Sequence, residues 1–368
     1  MKKILLICSD SNTVINFRKE LISFLQNKSY EIYVLTGDSQ REDDIKKLDV
    51  KFICVPFSNR DKSIASSLKL MKSFERVMKK IEPDIVFTFQ IKPNIFGCLA
   101  AKKVLCKNMF CMIEGLGDPF QPTNFKGKLL RLLVVMLYKY SLKWAKKVFV
   151  LNHDDKGELI KRKIIKDNKL VLVPGIGIDT SSYRPSYSYD KGKIVTNFSR
   201  LIKNKGIIEY CEIARNVRKI RPDIVFKLYG SESQLTKKDI AEYIQDGSIE
   251  YEGYTNDVKD AILDSTFVVS TSYREGFSRV LLEAMALGRP VVASNVIGNR
   301  EIVADGETGF LCDLNNLQSF ADCIINNIDN RDKIVAMGKK SRFICEKNYD
   351  SSIINKTLLD IVESNIVE

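Results

Sequence analysis

The stretch YREGFSRVLLEAMALGRPVV, Tyr273–Val292, sets a loop, a helix and the start of a strand one after another and carries two glutamates eight positions apart. Glu275 stands beside Gly276 in the loop, and the helix is predicted to begin near Ser278. Glu283 then falls about one and a half turns inside the helix, on its sheet-facing side. A lone carboxylate there costs several kcal/mol unless a partner meets it. It calls for hydroxyls or a cation.

Outward from this stretch the same alternation runs along the whole chain. KIVTNFS, IVFKLYG, IEYEGY, FVVSTS, PVVASN and GFLCD read as strands of the second half, with helices between them. In the first half the strand-like runs are KILLICS, EIYVLTG, KFICVPF, DIVFTF, FCMIEG and KVFVLN. Helical patterns there cover Asn16 to Lys28, Ile64 to Ile81, Ile95 to Val104 and Lys128 to Ala145. Continuous apolar strands alternating with helices mean parallel sheets covered on both faces. The fold class is α/β, with two Rossmann-like, doubly wound domains. VPGIGIDTSSYRPSYSYDKG, Val173–Gly192, has no long periodic run and reads as the linker. The domains are expected at 1–178 and 179–368, with the carboxyl ends of both sheets facing a cleft and the last helix returning to the first domain.

At 368 residues the chain exceeds one ordinary core, as the two domains require. Its nine cysteines are scattered and mostly inside apolar runs, so they read as small buried residues in a reducing compartment, without disulfides. The apolar run of MKKILLICSDSN is short and reads as a buried first strand rather than a signal peptide. No window reaches the roughly 18 to 20 apolar residues of a membrane-spanning helix. Charge divides unevenly: residues 1–180 hold 33 Lys and Arg against 19 Asp and Glu, net +14, and residues 181–368 hold 25 against 27, net −2. Such a basic half suits an anionic surface or a pyrophosphate ligand. The segment FKGKLLRLLVVMLYKYSLKWAKK interleaves lysines with apolar and aromatic residues, which fits an interfacial membrane contact better than nucleic acid. A packed helix with solvated lysines remains the other reading of it.

After KIVTNFS comes RLIKNKG, placing Arg200 and Lys205 at the carboxyl edge of the second sheet, the lysine followed by Gly206 at a helix start. Two cations so placed suit the phosphates of a nucleotide diphosphate. Asp-x-Asp is absent from the chain, so the usual carboxylate clamp for a divalent metal on a nucleotide sugar is missing and no metal is expected. His153, in VLNHDD, is the only histidine and has no Cys/His metal spacing around it; it reads as an ordinary surface or hinge residue.

The order FSRLIKNKG, YG, YEGYTNDV, YREGFSRVLLEAMALGRPVVAS and GNREIVADGETGFL resembles the nucleotide-sugar-binding half of family 4 glycosyltransferases, which have the two-domain GT-B fold. FSNRDKSI, TFQIKPNIFGCLAAK and EGLGDPF resemble, more loosely, bacterial enzymes that add N-acetylgalactosamine or a related hexose to undecaprenyl-diphosphate-linked sugars. The resemblance implies a retaining hexosyltransferase that uses a nucleotide sugar, UDP-linked by expectation, without cofactor. Glu283 would bind the ribose hydroxyls and Glu275 the donor sugar, while Gly276, Phe277 and Ser278 offer backbone N–H groups to the phosphates. Gly230, Gly115 and Gly117 would let the backbone approach the nucleotide sugar closely. Arg200 and Lys205 would neutralise the leaving diphosphate. Arg18, Lys92, Asn94 and Glu114 are the acceptor-side candidates. The first loop departs from the family's glycine pair with Ser9, Asp10, Ser11 and Asn12, which puts phosphate contacts by that loop in doubt. The expected partners are a nucleotide sugar, an undecaprenyl-diphosphate-linked saccharide and an anionic membrane surface, with no nucleic acid. The protein is placed in the cytoplasm, peripheral on the inner face of the membrane. The alternatives are a GT-B nucleotide-sugar epimerase, or a non-catalytic basic membrane- or nucleic-acid-binding protein with a degenerate nucleotide site.

Overall fold

The computed structural model describes residues 1–58, 61, 63–120 and 124–367, with Asp118 described by its backbone alone. Asn59, Arg60 and Lys62 of FSNRDKSI, and the Asp118 side chain of EGLGDPF, lie outside the described residues. The chain divides into two compact units, Met1–Gly177 with Ser351–Glu368, and Ile178–Asp350.

The first unit is built on β1 (Lys3–Ile7), β2 (Glu31–Thr36), β3 (Lys51–Cys54), β4 (Ile85–Phe89), β5 (Met109–Ile113), β6 (Lys147–Val150) and β7 (Leu170–Leu172). All pairings are parallel, in the order β3-β2-β1-β4-β5-β6-β7. Burial follows position in the sheet. Every residue of the central strands IVFTF and MFCMI is buried, whereas the edge strand KFIC has none buried. Helices Ile64–Ile81 and Phe125–Ser141 supply Phe74, Met78 and Tyr138 to one core with Leu5, Val86 and Cys111. The closing helix Ser351–Glu363 packs on Lys19–Asn27, and the Tyr30 hydroxyl donates to Glu363 at 2.7 Å.

The second unit holds β8 (Ile194–Phe198), β9 (Val225–Tyr229), β10 (Glu250–Gly253), β11 (Phe267–Ser270), β12 (Val291–Ser294) and β13 (Gly309–Cys312). They too are parallel, in the order β10-β9-β8-β11-β12-β13. Both sheets are therefore doubly wound, and each reverses direction once: between β1 and β4, and between β8 and β11. In open parallel sheets ligands bind outside the carboxyl ends of the strands at such reversals.

Three local readings are corrected. β6 is not the last strand of its unit: β7 follows it, three residues too short to give a pattern, and His153 opens the intervening helix His153–Lys161, capped by Asn152 accepting from the Asp155 amide at 2.7 Å. The first helix begins at Ser11 rather than Asn16, because Asp10 caps it through the Thr13 amide at 2.8 Å, and it breaks at Arg18 before resuming at Lys19. The segment read as a linker is packed: Ile178, Tyr183 and Tyr189 are buried, Thr180 donates its amide to Asp350 at 3.2 Å, and Arg342 donates to the Tyr183 carbonyl.

Candidate active site

Two loops meet at the β8/β11 reversal. β8 runs on through Ser199 and Arg200 into the short turn Lys203–Lys205, then helix Ile207–Ile220; β11 runs on through Thr271 and Ser272 to Glu275. Gly206 joins them. Its φ is 63°, and a Cβ there would lie 2.0 Å from the Thr271 carbonyl oxygen, so only glycine lets the backbones touch. The Thr271 hydroxyl donates to the carbonyls of Lys205 at 3.1 Å and Gly206 at 2.8 Å, and the Tyr273 amide donates to Asn204 O at 3.0 Å.

This contact brings Lys205 and Glu275 together as an ion pair, Nζ to Oε1, with side chains 27% and 14% exposed. The Ser272 hydroxyl donates to the same carboxylate oxygen at 2.6 Å. Behind Glu275, its amide donates to Ile297 O at 3.0 Å, and Gly298 leaves room that a Cβ, 2.6 Å from the Glu275 carbonyl oxygen, would fill. Arg200 is exposed on the neighbouring loop. Gly230 backs that loop: a Cβ on it would fall 1.8 Å from Ser199 O.

Glu283 sits in helix Arg279–Ala286, which follows Ser278 at the N-cap position, with its side chain 14% exposed. Its Oε1 accepts from Arg279 Nε and from the Tyr183 hydroxyl, each at 3.0 Å. The hydroxyl and the cation that a buried carboxylate calls for are both present, the cation one turn earlier on the same helix. Burial, and then the Glu283 charge, push the Tyr183 phenol well above its ordinary pKa, so it stays a proton donor. Phe277 turns its ring edge-on to Tyr349 at 5.6 Å between centroids, and Ser278 is buried.

In the first unit, Arg18 and Glu114 form an ion pair at the carboxyl ends of β1 and β5. Arg18 is only 2% exposed, and its guanidinium lies 4.0 Å above the Phe89 ring. Beside it, burial pushes the Cys8 thiol up to about 12, so the thiol is neutral. Lys92 donates to the carbonyls of Ser58 and Asp61, and burial lowers its pKa. Asn94 is fully buried; it donates to Met112 O at 2.8 Å and accepts from the Thr88 hydroxyl at 2.7 Å, so both ends of its amide serve the fold. Gly115 and Gly117 follow β5, Gly117 with φ 66°. In the divergent first loop Ser11 is tied to Asp38 and the Ser9 amide donates to Gln90 Oε1 at 2.9 Å; Gln90, at the end of β4, holds φ 71°. A non-glycine residue in that region is a strain that neighbouring bonds must hold.

Sequence reasoning missed Ser272, Tyr183, Arg279 and Gly298, which hold the two glutamates. Serine three before a loop glutamate and arginine four before a helical one were visible signals; Tyr183, a hundred residues from Glu283, gave none. Among the described residues, no group of three or more His, Cys, Asp or Glu side chains is placed to hold a metal ion.

Residues 180–343 match the family of glycosyl transferases group 1, and residues 3–152 match the glycosyl transferase 4-like family. The chain is a family 4 glycosyltransferase. This glycosyltransferase is 25% identical over 371 residues to the N,N'-diacetylbacillosaminyl-diphospho-undecaprenol alpha-1,3-N-acetylgalactosaminyltransferase of Campylobacter jejuni, covering 95% of this chain and 96% of that one. It is 26% identical over 349 residues to the UDP-Gal:alpha-D-GlcNAc-diphosphoundecaprenol alpha-1,3-galactosyltransferase of Escherichia coli, covering 90% and 86%. Anabaena HepE in complex with UDP and glucose superposes with a TM-score of 0.81 at 19% identity, over 99% of this chain and 100% of that one. The fold is thus GT-B, and membership of an enzyme family replaces the reading as a non-catalytic scaffold.

Gly206→Ala should destabilise the second unit by about 2 kcal/mol, because the Cβ forces two backbones apart and strains φ. Urea unfolding checks this; an unchanged midpoint would mean that the two loops are not packed as described.

Proposed function

We propose that this glycosyltransferase moves a hexose or N-acetylhexosamine, of the N-acetylgalactosamine type, from a UDP-sugar to a lipid-linked saccharide with retention of configuration. The observation that carries the reading is the Lys205–Glu275 ion pair where the loops after β8 and β11 meet, with Arg200 on the first loop and Glu283 on the helix that follows the second. The names of the Campylobacter and Escherichia relatives, which transfer to diphospho-undecaprenol acceptors, support the acceptor class, and UDP in the Anabaena structure supports the nucleotide.

In this reading Glu283 receives the ribose hydroxyls on Oε2, since Oε1 is engaged by Arg279 and Tyr183. The backbone of Gly276–Ser278 meets the diphosphate at the start of helix Arg279–Ala286. Arg200 and Lys205 neutralise the charge that grows on the diphosphate as the glycosidic bond breaks, the task a metal performs elsewhere. The departing phosphate takes the acceptor proton on the same face, and Glu275 orients the sugar. On the acceptor side Glu114, held by Arg18, and Lys92 present polar groups at the carboxyl ends of β5 and β4, whereas Asn94 braces the fold. A screen of UDP-sugars for UDP release, with and without lipid-linked acceptor, tests the function; conversion of the donor to its epimer without release would turn the reading to an epimerase.

The reading includes a membrane contact. Helix Phe125–Ser141 exposes Phe125, Leu129, Leu132, Leu133, Met136 and Tyr140 along one stripe while Val134 and Tyr138 face the core. Lysines flank it: Lys143 lies 4.4 Å from the Tyr140 ring, and Lys102 lies 4.0 Å from the ring of Trp144, itself part-exposed. An apolar stripe with aromatics and a basic rim suits an anionic lipid surface. Among the described residues no helix is long and apolar enough to cross a membrane.

Three outcomes are expected. Arg200→Ala and Lys205→Ala each lower turnover by about 3 kcal/mol of transition-state stabilisation, more than they weaken donor binding; near-normal turnover in either contradicts its role. Glu283→Gln weakens UDP and uridine about tenfold by calorimetry, because both carry the ribose; unchanged binding would take Glu283 off the nucleotide. A Lys126→Glu, Lys128→Glu, Arg131→Glu variant leaves anionic vesicles, each cation contributing about 1 kcal/mol, and undiminished sedimentation with vesicles would make the stripe an ordinary surface.

A further inference from the structure

Lys205 and Glu275 satisfy each other, and each is also wanted by a different part of the donor. A phosphate that draws the Lys205 ammonium away from the carboxylate leaves Glu275 without its cation. The backbone that carries the carboxylate is held by the Ile297 carbonyl and by the close approach of Gly298, so Glu275 can follow the lysine only as far as its own side chain turns. What it keeps, among the described residues, is the Ser272 hydroxyl at 2.6 Å, one donor for a carboxylate only 14% exposed. A largely buried carboxylate with a single neutral donor is poorly compensated. The hydroxyls of a donor sugar would supply the rest, and a nucleoside diphosphate has none to give at that position.

We propose that Glu275 competes with the nucleotide's diphosphate for Lys205, so that the pair discriminates the nucleotide sugar from the nucleoside diphosphate left after transfer. The proposal rests on the reading of Lys205 as a diphosphate cation. With the full donor, Lys205 passes to the phosphates and Glu275 to the sugar hydroxyls, and neither charge is left alone. Once the sugar has gone to the acceptor, Glu275 loses those hydroxyls, takes Lys205 back and weakens the hold on the product. Ser272 is the positioning residue: it keeps the carboxylate oxygen aimed at the same point whichever partner is present.

Calorimetry with UDP and with uridine, at fixed pH and salt, tests this on the full-length protein and on Glu275→Gln, Lys205→Met and the double variant. Glu275→Gln, which removes the competing charge but keeps the shape, should bind UDP about five- to tenfold more tightly, and uridine unchanged. Lys205→Met should weaken UDP, and adding Glu275→Gln to it should bring no gain, since the competed cation is absent. Glu275→Ala should show the same sign as Glu275→Gln, which guards against a new hydrogen bond made by the amide. Weaker or equal UDP binding by Glu275→Gln, with Lys205→Met still harmful, would overturn the competition while leaving Lys205 on the diphosphate. UDP binding untouched by Lys205→Met would overturn both.

Discussion

The contact of Gly206 with the Thr271 carbonyl is the constraint on which the second unit's chemistry depends. Lys205 and Glu275 stand 70 residues apart in the chain and belong to different loops. They meet because a residue without a Cβ lets those loops close, and because the Thr271 hydroxyl then bridges the two carbonyls of the turn. The same means recurs on either side. Gly230 lets the Arg200 loop settle against the next strand end, and Gly298 does so for the Glu275 loop. Three close backbone approaches thus set the loops that carry Arg200, Lys205 and Glu275, and the last two meet as an ion pair.

Charge is distributed according to the same division of labour. The excess of basic residues lies wholly in the first half of the sequence, where the exposed stripe of helix Phe125–Ser141 is also found. The second half is nearly neutral in sum, its 25 basic residues balanced by 27 acidic ones. In the proposed reading a diffuse basic field would attract a surface, while Arg200 and Lys205 would recognise a diphosphate.

Much of this was legible in the residues. Unbroken apolar runs gave the central strands because both faces of a parallel sheet are covered, and the spacing of Glu275 and Glu283 gave loop and helix. β7 escaped because Leu170–Leu172 is too short to carry a period. The fates of Lys92, Asn94 and Arg18 escaped for a different reason. A polar residue at a strand end reads alike whether it meets a ligand or a carbonyl, and only the fold shows that Asn94 spends both ends of its amide inside. Tyr183 lay in a segment that looked like a tether, since its order comes from Arg342 and Asp350, far along the chain.

The central claim is that a nucleotide diphosphate sits at the β8/β11 reversal on Arg200 and Lys205, with its ribose on Glu283. A crystal structure of the protein with UDP tests it most directly. The account predicts phosphate oxygens within hydrogen-bond distance of both cations and the ribose hydroxyls on Glu283 Oε2, the oxygen not engaged by Arg279 and Tyr183. A diphosphate held away from Lys205, or a ribose that leaves Glu283 untouched, would contradict it.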